Sequence, residues 1–237
     1  MSGRIDVHSH LLPGIDDGCA TPEQSMTCAR MLVDAGYSHA FCTPHFWWNL
    51  PHVKPANIVR WTSDLQAHLD AAAIPLKLMP GGELNLRPEL MVLKKDQIPT
   101  YGMLGRYCIF DIWANILPPF FETVVRYLQE LGLKVILAHP ERMQAMWIDA
   151  GLIDRVQEMG LLLQGNFQCF SDPEGMTTRT LVERWLTEGR YFLLGTDTHN
   201  PATLPCRLDG LNRAIELVGA AKVAELTVEN PKLLMIP

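Results

Sequence analysis

Short apolar runs alternate with amphipathic stretches along the whole chain. Several runs are continuous, such as Val135-Ile136-Leu137 and Phe192-Leu193-Leu194. Continuous runs of this kind are typical of parallel strands that are buried on both faces. Seven runs predict strands, at residues 5–7, 37–42, 76–79, 107–112, 134–138, 161–164 and 191–194. The pattern therefore predicts an α/β protein.

Helix start and stop signals lie between the predicted strands. Thr21 can cap a helix that begins at Pro22, Gln24 can complete a capping box, and Gly36 ends the helix. The remaining stretches predict helices at 55–73, 88–94, 118–131, 149–159, 172–188, 207–219 and 220–226, followed by a tail at 227–237.

Potential metal ligands follow most of the predicted strands. His8 and His10 end the first strand, and residues two apart in an extended chain point the same way. Imidazole and carboxylate groups are ligands for Zn, Mn and Fe. Further ligands of these types occur after the first strand and at the ends of later strands: Asp17, His45, Glu83, Asp111, His139, Asp197 and His199.

The number of strands that end in potential metal ligands distinguishes a barrel from an open sheet. A doubly wound open sheet brings only a few neighbouring strand ends together, whereas a barrel brings all of them to one rim. We therefore favour a TIM-like barrel of seven strands over an open sheet. No linker or low-complexity segment divides the chain, so we expect one domain over residues 1–237.

Composition and charge narrow the function classes. The chain has 237 residues, 48% of them hydrophobic and 19% charged, as in an ordinary soluble globular protein. The net charge of −6, without a Lys/Arg block, argues against nucleic-acid binding. There is no signal peptide and no apolar run near the ~18 residues of a spanning helix, which argues against membrane insertion. The six cysteines form no CxxC pair, so we expect reduced thiols in a cytoplasmic protein.

Taken together, the motifs resemble those of the capsule-biosynthesis protein-tyrosine phosphatases of the CpsB/CapC type, within the polymerase and histidinol phosphatase (PHP) superfamily. The resemblance covers nearly the whole chain in the same order. The motifs are His8-x-His10 with residues 13–18 (PGIDDG), residues 43–45 (TPH), Gly82-Glu83, residues 139–142 (HPER) and Asp197-x-His199-Asn200.

The resemblance implies a fold and an activity. The fold would be a distorted, TIM-like (β/α)7 barrel of the PHP type. The activity would be metal-dependent hydrolysis of phosphotyrosine on a bacterial tyrosine kinase that controls capsule or exopolysaccharide export.

The resemblance also implies three divalent metals, with Mn expected and Fe or Zn suited to the same donors. Glu83 would bridge two of them, and Arg142 would bind the substrate phosphate. We expect catalytic roles for Arg142, Asp17 and His199, and substrate contacts from Arg142, Arg207 and Trp48. The implied ligand sets are His8, His10, Glu83 and Asp197 for the first metal; Glu83, Asp111 and His139 for the second; and Asp17, His45 and His199 for the third.

Two positions depart from the family pattern. Asp111 stands where the family usually has Glu, so the second metal would be held by a shorter side chain. Leu204 stands where the family has an Arg, and Arg207, three residues further on, is the candidate replacement.

The residue types suit phosphate-ester hydrolysis. Four carboxylates carry about −4, and three divalent ions would make the pocket about +2, which attracts a phosphate dianion. We expect a metal-bridging hydroxide to attack phosphorus in line while the metals and Arg142 stabilise the developing charge. A tyrosine leaving group has a pKa near ~10, so the demand for a general acid is modest.

Other functions remain open on the sequence alone. A phosphatase for a small metabolite, such as histidinol phosphate or a sugar phosphate, would use the same site. Amidohydrolase-like metal hydrolases also begin with His-x-His but typically carry Lys after strand four, where this chain has Asp111. A nuclease barrel and a barrel without metal are less consistent with the acidic charge and the nearly complete ligand set. Cysteine-based tyrosine phosphatases are excluded, because no Cys is followed six positions later by Arg.

Several residues near these motifs have plain structural interpretations. We interpret Asp16 as a turn residue, and Glu141 either as support for a ligand or as a solvated residue at a helix start. The aromatic residues expected at the rim either stack on a phenolic ring or cover the barrel; they are Trp47, Trp48, Trp113, Phe120 and Trp147. We interpret the three remaining histidines, His39, His52 and His68, as structural or solvated.

Overall fold

The computed structural model describes residues 3–171 and 175–236, and every strand pair in it is parallel. The predicted α/β fold is confirmed. The described residues form nine strands: β1 (Arg4–Asp6), β2 (Tyr37–Cys42), β3 (His45–Phe46), β4 (Lys77–Pro80), β5 (Glu83–Asn85), β6 (Tyr107–Asp111), β7 (Lys134–Ala138), β8 (Leu162–Asn166) and β9 (Leu193–Gly195).

The nine strands occupy seven positions in a ring. One sheet has the order β1-β2-β4 and the other the order β3-β5-β6-β7-β8-β9. After a short break β2 continues as β3, and β4 continues in the same way as β5. Ser9 pairs with Thr198, and the amide of His10 donates to the Thr198 carbonyl at 2.8 Å, which joins the first position to the last. The ring is therefore closed, and the breaks in the second and third positions make the barrel irregular.

Helices separate the strand positions. The α-helices are α1 (Pro22–Asp34), α2 (Pro55–Ala71), α3 (Phe121–Glu130), α4 (Gln144–Ile148), α5 (Leu152–Glu158), α6 (Met176–Thr187), α7 (Leu204–Ala224) and α8 (Asn230–Lys232). Short 3-10 segments lie at Pro88–Val92, Lys95–Gln97, Tyr101–Met103, Pro140–Arg142 and Phe167–Ser171, and a π-helical turn spans Glu225–Glu229.

The start of α1 shows how local sequence fixes an element. The Thr21 hydroxyl accepts from the Gln24 amide, as predicted. The Gln24 side chain accepts from the amide of Ala20 rather than from that of Thr21, so the cap is a variant of the predicted box. Either way, backbone donors at the helix start are satisfied locally.

Several predicted helices differ from those observed. The stretch 88–94 contains a 3-10 turn instead of an α-helix. The predicted helix 118–131 begins only at Phe121, after the two prolines at 118 and 119. The predicted helix 172–188 is observed from Met176, and residues 172–174 lie outside the described residues. The last two predicted helices meet at Gly219, whose φ of 82° interrupts α7 as expected.

The predicted tail at 227–237 is wrong for its first half, because residues 225–232 continue as π-helix and α8. The reason is tertiary packing. Leu234 is buried in the barrel interior with Ile5 and Val7 of the first strand position. In addition, Arg106 donates to the Ile236 carbonyl at 2.8 Å. The end of the chain therefore covers the amino ends of the strands and leaves the carboxyl ends for the site.

Within the described residues, no helix combines the length and apolar character that crossing a bilayer requires.

Candidate metal centre

The predicted ligands meet at the carboxyl ends of the strands. Seven of them line a cavity of about 270 Å³, and the other two, His8 and His10, contact the lining residues Glu83 and Asp197. The cavity is also lined by Trp47, Trp113, Arg142, Gln168 and Arg207. Four overlapping groups have ligand atoms within 4.8 Å of one another. They are His10, Asp17, His45 and His199; His8, His10 and Asp197; His8, Glu83 and His139; and His45, Glu83 and Asp111.

The two histidines after β1 face the same point. Their Nε2 atoms lie 3.3 Å apart, as the spacing of two residues predicts. The opposite nitrogens are anchored: Nδ1 of His8 lies 2.8 Å from Gln164 Oε1, and Nδ1 of His10 lies 2.8 Å from Asp16 Oδ2. Each anchor fixes the ring orientation and leaves Nε2 directed towards the carboxylates of Glu83 and Asp197, an arrangement common among histidine metal ligands.

Glu83 lies at the centre of the cluster and is fully buried. Its Oε2 is 3.3 Å from His8 Nε2 and 2.8 Å from His45 Nδ1, and its Oε1 is 3.2 Å from His139 Nε2. Burial alone would raise the pKa of Glu83. The surrounding imidazoles of His8, His139 and His45 reverse that effect and hold the pKa well below its usual range.

Asp197 and Asp17 are the other carboxylates beside imidazoles. Burial raises the pKa of Asp197, but its contacts with His8 and His10 outweigh burial and bring the pKa well below normal. Asp17 lies at the open face, with 64% of its side chain exposed. The imidazoles of His199 and His45, at 3.6 and 3.2 Å, lower the pKa of Asp17.

The donor atoms suit divalent cations. Asp111 Oδ2 is buried without a hydrogen-bond partner among the described residues, and Glu83 Oε2 and His45 Nδ1, 2.8 Å apart, are buried without a hydrogen bond of acceptable geometry. Burial, with Glu83 nearby, raises the pKa of Asp111 to about 7. Unpaired buried carboxylates are costly unless a cation compensates them. The nitrogen and oxygen donors therefore fit Mn, Fe or Zn.

The groups around Asp111 differ from the ligand set that the family resemblance implies. Asp111 is buried, and its Oδ1 accepts from Asn85 Nδ2 at 3.4 Å. Its carboxylate groups with Glu83 and His45, whereas His139 groups with Glu83 and His8. The second set implied by the family resemblance, with Asp111 and His139 on one metal, is therefore divided between two groups here.

Two ligand positions have unusual backbone conformations. His139 has φ 31° and ψ 57°, and Asp197 has φ 52°. Left-handed conformations cost free energy in residues other than glycine, and they concentrate at functional sites. In the loop after β1, Gly18 permits a close approach of the backbone, since a Cβ there would lie 2.2 Å from the His10 carbonyl oxygen. The backbone around the cavity is thus shaped to direct its side chains inward.

The arginines take different positions. Arg142 lines the cavity, with Nη1 3.2 Å from Asp197 Oδ2 and its guanidinium 5.2 Å from the Trp113 ring centre. Arg207 also lines the cavity, but its Nε and Nη1 donate to the carbonyls of Asp197 and Thr203. Arg207 therefore supports the loop that carries Asp197. Leu204 is fully buried in the core, so that position does not present a side chain to the cavity.

Some of the aromatic residues predicted at the rim line the metal cavity, and others line neighbouring clefts. Trp47 stacks on His45 with ring centres 4.1 Å apart, and Trp113 lines the cavity beside Arg142. Trp48, predicted to contact substrate, is 76% exposed and lines two neighbouring clefts instead of the metal cavity. Trp147 donates to the Glu141 carbonyl at 2.7 Å and lines a cleft that also reaches Arg142.

Three residues support the predicted ligands in ways that were not predicted from sequence. Asp16 forms the predicted turn by accepting from the Gly18 amide, but it also anchors His10 and accepts from the His45 amide at 2.9 Å. Gln164 anchors His8, and Asn166 Nδ2 donates to Asp197 Oδ2 at 2.8 Å. Gln164 ends the sixth predicted strand, Asn166 follows two residues later, and their polar character at a strand end was the available signal.

Glu141 is fully buried, so its interpretation as a solvated residue is wrong. Its carboxylate accepts from the Asn166 amide at 2.7 Å and from the Tyr191 hydroxyl at 3.0 Å. Burial raises the pKa of Glu141 to about 7. Among the remaining histidines, His39 lies on β2 beside the Ser38 hydroxyl, and the metal-ligand groups found among the described residues include none of His39, His52 and His68.

Comparison with known proteins identifies the family. The family model for capsular polysaccharide synthesis proteins, CpsB/CapC, matches residues 4–236. Among curated relatives, the tyrosine-protein phosphatase YwqE of Bacillus subtilis is 25% identical over 98% of this chain and 91% of that protein. The tyrosine-protein phosphatase CpsB of Streptococcus pneumoniae is 24% identical over 98% of both chains.

Solved structures agree with the fold. One, from work on YwqE of Bacillus subtilis and CpsB of Streptococcus pneumoniae as metal-dependent tyrosine phosphatases, superposes with a TM-score of 0.88. It is 24% identical, over 98% of this chain and 94% of that chain. Histidinol phosphate phosphatase from Lactococcus lactis superposes with a TM-score of 0.53 at 12% identity, over 90% of this chain and 93% of that chain. With its matched family model and its barrel, this chain belongs to the CpsB/CapC family of capsular polysaccharide synthesis proteins.

Proposed function

We propose that this chain is a metal-dependent protein-tyrosine phosphatase that acts in capsule or exopolysaccharide biosynthesis. The observation that carries the proposal is the convergence of five imidazoles and four carboxylates on one cavity with Arg142 at its edge. The named activity of the relatives YwqE and CpsB supports phosphotyrosine as the substrate. The partner would be the phosphorylated tail of a bacterial tyrosine kinase.

The cofactor would be three divalent metals, with Mn expected and Fe or Zn compatible. His8, His10, Glu83 and Asp197 would hold one metal, and Asp17, His45 and His199 would hold another. Asp111 and His139 would complete the set around Glu83. When bound, these metals would lower the pKa of water and neutralise phosphate charge.

Arg142 would bind the phosphate. Its guanidinium contacts Asp197 through Nη1 and lines the cavity in which the oxygens of a phosphate would bind. A guanidinium binds such oxygens through paired, charge-assisted hydrogen bonds. Because these bonds would hold the ester in one orientation, Arg142 would contribute both affinity and alignment.

His199 and Asp17 would serve the open face of the site. His199 Nδ1 lies 2.8 Å from the Asp197 carbonyl oxygen, which leaves Nε2 directed towards Asp17 Oδ1 at 3.6 Å. His199 Nε2 would thus be left to hold a metal together with Asp17 and His45. When bound there, the metal would supply charge stabilisation to the departing phenolate. The need for a general acid is modest, because a tyrosine hydroxyl has a pKa near ~10.

The rim favours a polypeptide over a small metabolite. Trp48, Trp113 and Ile116 are 76%, 63% and 69% exposed and lie in the loops after the strands that carry the ligands. Exposed apolar groups around a cavity are typical of surfaces that contact another protein. Histidinol phosphate and sugar phosphates would leave this surface uncovered.

The test is a comparison of substrates. Phosphate release is measured with added Mn²⁺ from a phosphotyrosyl peptide, from histidinol phosphate and from a sugar phosphate, and each measurement is repeated with chelator. We expect metal-dependent release with the highest kcat/KM on the peptide. A higher kcat/KM on histidinol phosphate or the sugar phosphate would replace the proposal with a small-metabolite phosphatase.

A further inference from the structure

A larger cleft adjoins the metal cavity. It has a volume of about 670 Å³ and shares Trp113 with the cavity. Asn85 connects the two spaces, because it lines the cleft and its Nδ2 lies 3.4 Å from Asp111 Oδ1. Trp48 and Arg87 also line the cleft. The cleft is large enough for several residues of extended chain beside a group in the cavity.

Arg87 is the cationic group in this cleft, and its hydrogen bonding is incomplete. Its side chain is only 16% exposed. Nη1 is 3.4 Å from the Phe46 carbonyl oxygen, while Nε is buried without a hydrogen-bond partner among the described residues. Glu89 Oε2 is 4.0 Å from Nε, beyond hydrogen-bonding distance. The guanidinium therefore has donors that an acceptor from outside the chain could satisfy.

The distance of Arg87 from the metal cavity suits contact with a substrate residue near the phosphotyrosine in the peptide sequence. Arg87 lies four residues after Glu83, and the chain between them is extended, with φ −153° and ψ 157° at Arg87 itself. Four extended residues span about 13 Å. A residue up to four positions from a phosphotyrosine lies within about this distance along an extended peptide.

We propose that this cleft is a subsite for an acidic side chain of the substrate polypeptide, held by Arg87 beside Trp48 and Trp113. The inference rests on the proposed function and names the substrate feature that the site selects. A carboxylate accepts two hydrogen bonds from a guanidinium, which would satisfy the buried Nε. The two tryptophans would pack against the backbone and side chains that flank the carboxylate.

Glu89 should weaken binding of an acidic side chain at this subsite. In the absence of substrate its carboxylate partly neutralises the charge of Arg87. Its side chain is 71% exposed, so it can turn towards solvent when a substrate carboxylate binds. Replacement by glutamine should therefore strengthen the preference for an acidic residue.

The experiment measures kcat/KM for a set of phosphotyrosyl peptides with Mn²⁺. An alanine-rich host peptide receives a single Glu at each position from two to four residues on either side of the phosphotyrosine. We expect one placement to raise kcat/KM about tenfold over the host peptide. The readout is the ratio of kcat/KM for the Glu-containing peptide to kcat/KM for the host peptide. A general loss of activity in a variant lowers both values and therefore cancels.

Variants distinguish recognition of charge from a structural role. Arg87→Met should reduce the ratio to about one, and Arg87→Glu should transfer the preference to a peptide with Lys at the same position. Arg30→Met, at an exposed position on α1, is the matched control and should keep the wild-type ratio.

Each alternative outcome has a separate meaning. Hydrolysis of the host peptide without any preference for Glu, or a preference that Arg87→Met retains, would overturn the subsite and leave the phosphatase intact. Absence of hydrolysis of every phosphotyrosyl peptide by metal-loaded protein would overturn the proposed function, and the subsite with it.

Discussion

At the scale of single residues, the site depends on imidazoles whose second nitrogen is already occupied. His10 shows this most clearly, because Asp16 Oδ2 lies 2.8 Å from its Nδ1 and also accepts from the His45 amide. One buried carboxylate thus orients a ligand side chain and fixes the backbone of a second ligand. Burial opposes this charge, yet His10 lowers the pKa of Asp16, so the carboxylate stays ionised.

Replacing this carboxylate tests its positioning role. Asp16→Asn keeps the size of the side chain and an acceptor for the turn but removes the charge that orients His10. We expect Mn²⁺ affinity to fall about tenfold or more, as for other residues that support metal ligands. Calorimetric titration measures this, with Asp64→Ala, at an exposed position on α2, as the control. Unchanged affinity in Asp16→Asn would show that Asp16 is only a turn residue.

The side chains that converge on the cavity could be predicted from sequence, but their supporting partners could not. His8 and His10 follow a strand directly, and their spacing alone implies a shared direction. Gln164, by contrast, is separated from His8 by 156 positions and meets it only because β8 lies in the same ring. No local pattern encodes such a contact.

At the scale of elements, close packing of α7 shapes one wall of the cavity. A Cβ at Gly210 would lie 1.9 Å from the Phe167 carbonyl oxygen, so only glycine allows this approach. The Ser171 hydroxyl donates to the Cys206 carbonyl at 2.7 Å across the same contact. The 3-10 segment Phe167–Ser171 is thereby held in place, and it carries Gln168, which lines the cavity.

Gly210→Ala tests this packing. The added methyl group must push the helix and the segment apart, so we expect the free energy of unfolding to fall by about 1–3 kcal/mol. Chemical denaturation measures the change, and Asn212→Ala, exposed on the same helix, should have a small effect. Equal stability of the two variants would contradict the close approach.

Elements were predicted best where local signals were strong. The cap at Thr21 and the interruption at Gly219 were both identified from sequence and observed. The second strand position is divided into β2 and β3 and the third into β4 and β5. This division was not predicted, because it depends on which neighbouring strand each part pairs with. The helical end of the chain was missed because burial of Leu234 in the barrel outweighs weak local preference.

At the scale of the whole molecule, binding and stability are coupled through the cavity. Four carboxylates gather at one end of the barrel, and three of the buried atoms without a hydrogen bond of acceptable geometry among the described residues belong to predicted ligands. Cations that bind only the folded chain would stabilise it by mass action. The ring also explains why an open sheet is wrong, since the pairing of Ser9 with Thr198 brings the first and last ligands together.

Metal removal should therefore lower the thermal stability. One ion at a hundred times its Kd contributes about 2.7 kcal/mol, which corresponds to roughly 5–10 °C in Tm for a chain of this size. We expect a decrease of at least this size when chelator is added to Mn²⁺-loaded protein, measured by calorimetry. A Tm that does not change with chelator would show that the cavity binds metal weakly or not at all.

The family, the barrel and the side chains that converge at the strand ends could be predicted from sequence, because short motifs at the strand ends carry them. The cleft beside the cavity was not, because its walls come from loops whose relative positions depend on the closed ring. Trp48 illustrates the difference: its place at the rim was predicted, while its position beside Arg87 required the structure.

The central claim is that the converging side chains hold the metals on which phosphate release depends. The most direct measurement is phosphate release from a phosphotyrosyl peptide by Mn²⁺-loaded His139→Ala, with bound metal determined on the same sample. His68→Ala, at an exposed position on α2, is the control. We expect His139→Ala to lose metal and most of its activity while His68→Ala retains both. Full activity and full metal content in His139→Ala would contradict the account.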